Sequence, residues 1–155
     1  MNINLNFAVT AARTAEQFTV GLKDSYATSL YETACCVLQH ASSLQGIASI
    51  QRETEVASLA AIFASRAAGF AREAERILEV TDAVDTVKGA AKVAGAAAAL
   101  AFAALKLWEQ AEQAAADGES DADYSTVAAF GRAIRTDTEN ANTISYNLGL
   151  AARDA

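Results

Sequence analysis

An all-α fold of long antiparallel helices, packed as an elongated hairpin or bundle without β-sheet, is what this sequence predicts. Three observations carry the prediction. The 155 residues contain no proline, where average usage would supply about eight, so turns are few and helices run long. Thirty-nine residues are alanine, the strongest helix former, and β-branched runs are absent. Apolar positions step by four and three over most of the chain, as in helices that pack at a shallow angle.

The first stripe runs through Phe7, Ala11, Ala15, Phe18 and Leu22, and a second through Leu30, Ala34, Val37, Ala41, Leu44 and Ala48. Together they predict a helix over 7–44, with the stretch GLKDS at 21–25 as a kink or an end. Val56, Ala60, Phe63, Ala67, Phe70, Ala74 and Ile77 place the next helix at 49–79. Thr81 and Asp82 offer caps for a helix over 82–116. The strongest interruption is DGESDAD at 117–123. Gly118 suits a helix C-cap there, and Ser120 with Asp123 matches a capping box. Val127, Phe130, Ile134, Ala141, Ile144, Leu148 and Ala151 then predict a last helix over 121–153. No repeat and no linker divides the chain, so residues 1–155 are read as one domain.

Charge narrows the partners. The net charge of −7 repels a phosphate backbone and argues against nucleic acid. Lysine and arginine look dispersed, with no polybasic anchor for anionic lipid. The start, MNINLNFAVTAAR, lacks the basic and long apolar regions of a signal peptide. Cys35 and Cys36 are adjacent, and a bridge between neighbours is strained, so two reduced thiols and a cytoplasmic location are expected.

The most apolar stretch is GAAKVAGAAAALAFAALKLW at 89–108. Thirteen uncharged residues between Lys92 and Lys106 fall short of the ~20 that a simple span needs. Its small side chains admit close neighbours on every face, either within the core of a monomer or between subunits. The candidate assembly interface is Gly89, Ala94, Gly95, Ala98, Ala101, Phe102 and Leu105. Membrane contact is expected only in an assembled state.

Candidate chemistry is sparse. Glu32, Cys36 and His40 share one helix face at spacing four, a partial ligand row for zinc or a thiol–imidazole pair. The chain has one histidine and no second cysteine pair, so no metal or catalytic centre is expected there, and no cofactor. A Glu-x-x-His on each of two helices, as di-iron bundles use, is excluded by that single histidine. No Gly-rich phosphate loop, G-x-S-x-G or H-E-x-x-H occurs. Asp117, Glu119, Asp121 and Asp123 alternate in an acidic turn that could respond to pH, but their glycine and glutamate spacing is not that of a calcium loop. The chain is expected to be non-enzymatic.

The segment AVTAARTAEQFTVGLKDSYATSLYETACCVLQHASSLQG resembles the R-body structural proteins of the killing-trait family. The resemblance rests on Ala8, Val9 and Thr10, followed by Leu30, Tyr31 and Glu32, and covers residues 7–65 at most. Glu32 stands where the family has glutamine, and the paired cysteines depart from its pattern. The resemblance implies a subunit that polymerises with itself or with related subunits into a cytoplasmic coiled ribbon, which extends on acidification and pierces a membrane. Two other readings stay open. One is a phasin-like coat on an apolar surface, using Phe7, Phe18, Leu22, Tyr26 and Leu30. The other is an oligomeric helical adaptor.

Overall fold

The computed structural model describes residues 3–118 and 123–155. It is all-helical among those residues: α1 (Ile3–Val20), α2 (Ala27–Ala48), α3 (Glu53–Val80), α4 (Val84–Ala116), α5 (Tyr124–Ala129) and α6 (Gly131–Asp154). The longest, α4, is the central element, and each of the other five packs on it. Its small side chains explain that position, because a helix without bulk can be approached closely from several sides. Val93, Ala94, Ala97, Leu100, Ala101, Ala103, Ala104 and Trp108 are all fully buried.

The flanking helices α1 and α6 run antiparallel to α4. Gly89 lies beside Thr19 and Leu22 of α1, and the Lys92 Nζ sits 5.2 Å from the centre of the Phe18 ring. On the other flank, Gly95 lies beside Ser145. Six residues further along α4, the Ala101 carbonyl accepts from Thr138 Oγ1 at 3.4 Å. Rising numbers on α4 meet falling numbers on both partners. Of the stripe positions of α2 and α3, Leu30, Ala34, Val37, Ala41 and Leu44, and Val56, Ala60, Phe63, Ala67, Ala74 and Ile77, point into the core, whereas Ala48 at the end of α2 is exposed and Phe70 is half-buried.

The expected single helix over 7–44 is two helices. Gly21 and Leu22 close α1 with hydrogen bonds to the Phe18 and Thr19 carbonyls, at 3.3 and 3.2 Å. Asp24 then builds the turn: its Oδ1 accepts from the Tyr26 amide at 2.9 Å, an Asx turn that replaces helical bonding. Its Oδ2 accepts from Thr81 Oγ1 at 3.2 Å, tying this loop to the α3–α4 loop. Thr81 does not cap a helix at 82. Its hydroxyl accepts from the Ala83 amide at 3.2 Å, and α4 starts at Val84.

Gly118 has a φ of +71° just past the end of α4, the left-handed C-terminal position expected for it. Ser120 of the expected capping box lies outside the described residues. Asp123 does cap α5, accepting from the Ser125 amide at 3.3 Å. The expected last helix over 121–153 is broken at Phe130, and the cause is tertiary. The Trp108 indole N–H donates to the Val127 carbonyl at 2.9 Å. A side chain inserted into a helix ladder breaks or bends it. The ring lies where a Cβ at Gly131 would be, so only glycine lets α6 start against it.

Candidate functional site

The seven residues expected at an assembly interface separate into two groups on α4. Gly89, Ala94 and Ala101 turn inward and are buried by the chain's own helices, and Ala98 is 8 % exposed. A Cβ at Gly89 would lie 2.9 Å from Leu22 Cδ1 and 3.0 Å from Leu30 Cδ2, so the close helix approach at this point occurs within one chain. Gly95 and Leu105 are half-buried. Phe102 is 39 % exposed, with the Lys106 Nζ 5.1 Å from its ring centre. Leu105 packs against the core, whereas Gly95 and Phe102 face a seam. Both α1 and α6 pack on α4, yet they do not pack on each other, and a strip of α4 stays open between them.

That strip continues at helical spacing through Lys88, Lys92, Gly95, Phe102 and Lys106, a single helix face; Ala99 shares the face but is 7 % exposed, covered by its neighbours. The lysines, which look dispersed in the sequence, are therefore concentrated. Three of the four in the chain stand on this face. Fourteen residues, close to four whole turns, separate Lys92 from Lys106. Helical periodicity could have revealed the row, but only once α4 was known to be flanked on both sides and open between them.

A second hollow lies where α2 ends and α3 begins. It is an open cleft of about 120 Å³ between those ends and the later turns of α4, lined mostly by apolar side chains, with Glu53 and Gln110 as its polar groups.

The zinc-like row is not brought to one point. Glu32 is exposed, whereas Cys36 and His40 are half-buried. His40 Nδ1 lies 2.7 Å from the Cys36 carbonyl oxygen and Nε2 lies 3.1 Å from Arg66 Nη1. A carbonyl only accepts and a guanidinium only donates. The ring therefore carries its proton on Nδ1 and accepts at Nε2, and both nitrogens are engaged. The edges of Phe63 and Phe70 hold it at centroid distances of 5.3 and 5.2 Å. Histidine, phenylalanine and arginine thus form a clamp between α2 and α3. No group of three His, Cys, Asp or Glu side chains among the described residues could hold a metal ion.

Cys35 faces α1, its Sγ 3.8 Å from Glu16 Oε2. Hydrogen bonding to Cys35 raises the Tyr31 phenol above its ordinary range, and negative charge at Cys35, burial and Glu16 add to the effect. Both cysteines are free thiols.

The acidic turn is only partly described. Asp117 Oδ1 accepts from Gln113 Nε2 at 2.9 Å. Besides capping α5, Asp123 accepts from Thr126 Oγ1 at 3.0 Å. Both carboxylates serve helix ends. Glu119 and Asp121 lie outside the described residues.

By length and composition α4 could cross a membrane, but 61 % of its most apolar window is buried within the bundle. That burial is what a core helix needs, and its exposed edge carries lysines. Comparison with family models, curated proteins and solved structures found no match.

Proposed function

We propose that this chain is a non-enzymatic structural subunit that joins other chains through its alanine- and glycine-rich helices. A coiled ribbon of like or related subunits, of the R-body type, is the most specific form of this reading. The observation that carries it is the open α4 seam, where Phe102 stays 39 % exposed beside half-buried Gly95 instead of joining the core. An aromatic left open on a strip flanked by two helices offers a contact that a second helix can cover. Phe7, at 64 % exposure, adds to the same side. The paired free thiols support a reducing, cytoplasmic setting.

Sedimentation velocity of purified protein tests the reading over a range of concentrations. Wild type should form assemblies larger than one chain, alone or with a companion chain. Phe102→Glu should dissolve them while leaving helicity unchanged. A wild type that stays monomeric and captures no companion would refute the reading.

A further inference from the structure

The seam has a definite charge as well as a shape. Residues 86–108 carry three lysines and no carboxylate, in a chain of net charge −7. Without those lysines the chain would hold 9 basic against 19 acidic groups, a net −10. Among the described residues, Lys88 and Lys92 have no carboxylate within ion-pair distance. Lys106 reaches Glu109, at 3.2 Å, beyond the end of the strip.

The apolar part of the seam lies between these cations. Phe18 of α1 stands opposite Lys92. Eleven residues back along antiparallel α1 is Phe7, and eleven forward along α4 is residue 103, so Phe7 and Phe102 stand at one level. They are 64 % and 39 % exposed. Between Lys92 and Phe102 the strip narrows: Gly95 is half-buried, a Cβ there would have only Ser145 Oγ near it, at 3.8 Å, and Ala99 is 7 % exposed and belongs to the core. The apolar surface that a partner helix can reach is therefore the two phenylalanine rings and the open side of Gly95.

We infer that this seam docks an acidic amphipathic helix of an unlike chain. Its apolar side lies over Phe7, Gly95 and Phe102, and its carboxylates face Lys88, Lys92 and Lys106. The inference rests on the assembly reading above and names the partner of that same surface. The distance from Lys92 to Lys106, 14 residues at 1.5 Å each or ~21 Å, sets the partner's acidic groups four turns apart. A symmetric pair of identical chains is disfavoured, because antiparallel seams crossing at Ala99 would set Lys92 of one copy near Lys106 of the other. Opposite charge across an interface selects partners and speeds encounter, and like charge excludes them. A flat bilayer fits poorly, because the strip is one helix face wide and walled by α1 and α6.

The test uses the full chain and a fluorescein-labelled 21-residue helical peptide. Its core positions are leucine and alanine and its flanks are glutamate, and a control peptide carries lysine at the flanks. Anisotropy should show the acidic peptide binding at least tenfold more tightly than the basic one, and more weakly as salt rises. Binding should fall at least tenfold in Lys92→Glu/Lys106→Glu and in Phe102→Glu, with helicity unchanged. The double variant should in turn prefer the basic peptide. Equal binding of the two peptides, or binding indifferent to the lysine variants, would overturn the inference. So would co-flotation with phosphatidylserine vesicles that the same variants abolish, which would assign the seam to membrane. Self-association of the chain alone, lost in Phe102→Glu, would overturn the unlike partner and leave the assembly reading standing. A Phe102→Glu variant unchanged in both sedimentation and peptide binding would sink both.

Discussion

Gly131→Ala reverses the usual rule for glycine in a helix. Alanine in place of a helical glycine normally stabilises by about 0.5–1 kcal/mol. At Gly131 the new Cβ would fall inside van der Waals distance of Cζ2 and Cη2 of Trp108. That ring has little freedom to retreat. It is fully buried, its N–H is bound to the Val127 carbonyl, and the Arg135 guanidinium lies 4.7 Å from the ring centre. Overpacking of this kind costs ~1–3 kcal/mol, and a displaced indole loses a buried hydrogen bond worth ~1 kcal/mol. Gly131 opens α6, so the propensity gain at that place is small. We expect a net destabilisation of about 2 kcal/mol. For 155 residues, an unfolding entropy of about 2.1 cal/mol/K per residue turns this into a fall in Tm of ~6 °C. Circular dichroism through a thermal ramp reads the fall. Fluorescence reads its cause, because Trp108 is the only tryptophan. The control is Gly69→Ala on α3, where a Cβ meets nothing within 4 Å and stability should rise by ~0.5–1 kcal/mol. If Gly131→Ala melts at or above wild type with unchanged emission, Trp108 does not hold the α5–α6 break as described.

Ala98→Leu should lower stability by ~1–3 kcal/mol in urea unfolding, because Ala98 is 8 % exposed inside the bundle; unchanged stability would place it on a free surface. Bonding to the Arg76 guanidinium lowers the Glu73 carboxyl below its ordinary value. A depressed carboxylate adds stability above its unfolded pKa and loses it as pH falls through the folded value. Glu73→Gln should therefore cost under about 0.5 kcal/mol at neutral pH, because the pair is solvent-exposed, and nothing in acid below the folded pKa; an equal cost at both pH values would exclude the ion pair as its source. His40→Ala should destabilise the α2–α3 contact without changing bound metal, since both ring nitrogens are engaged by protein. Stoichiometric zinc in protein purified without added metal, lost on His40→Ala, would contradict that assignment.

Helix type and the core faces of α2, α3 and α6 were legible in the sequence because they depend on local spacing. Missing proline and abundant alanine leave helix as the cheapest backbone state, and the four–three stripe names the inward side. Ala34, Val37, Phe63, Ala67, Ile77, Ile134, Ala141 and Leu148 are buried where that stripe puts them. On α1 the stripe named Phe7, Ala11, Ala15, Phe18 and Leu22, but the buried face is Leu5, Ala8, Ala12, Ala15 and Thr19, because alanine and threonine on that helix leave the bulkier rings to mislead the pattern. Gly118 shows the same legibility at a helix end, since only a residue tolerant of positive φ closes α4 there. The break between α5 and α6 was not legible. Phe130 and Gly131 sit in an unbroken helical stripe, and the group that interrupts it, Trp108, is 19 residues from its acceptor Val127. The division of α4 into buried and open faces was equally hidden. Alanine and glycine look alike on every side of this helix, so apart from the spacing of Lys88, Lys92 and Lys106 little marks which side is covered. Only the packing of α1 and α6, which flank α4 without touching each other, left Gly95, Phe102 and the lysines on one open strip. A local pattern follows from backbone geometry, whereas the covering of a uniformly small helix depends on where distant segments come to rest.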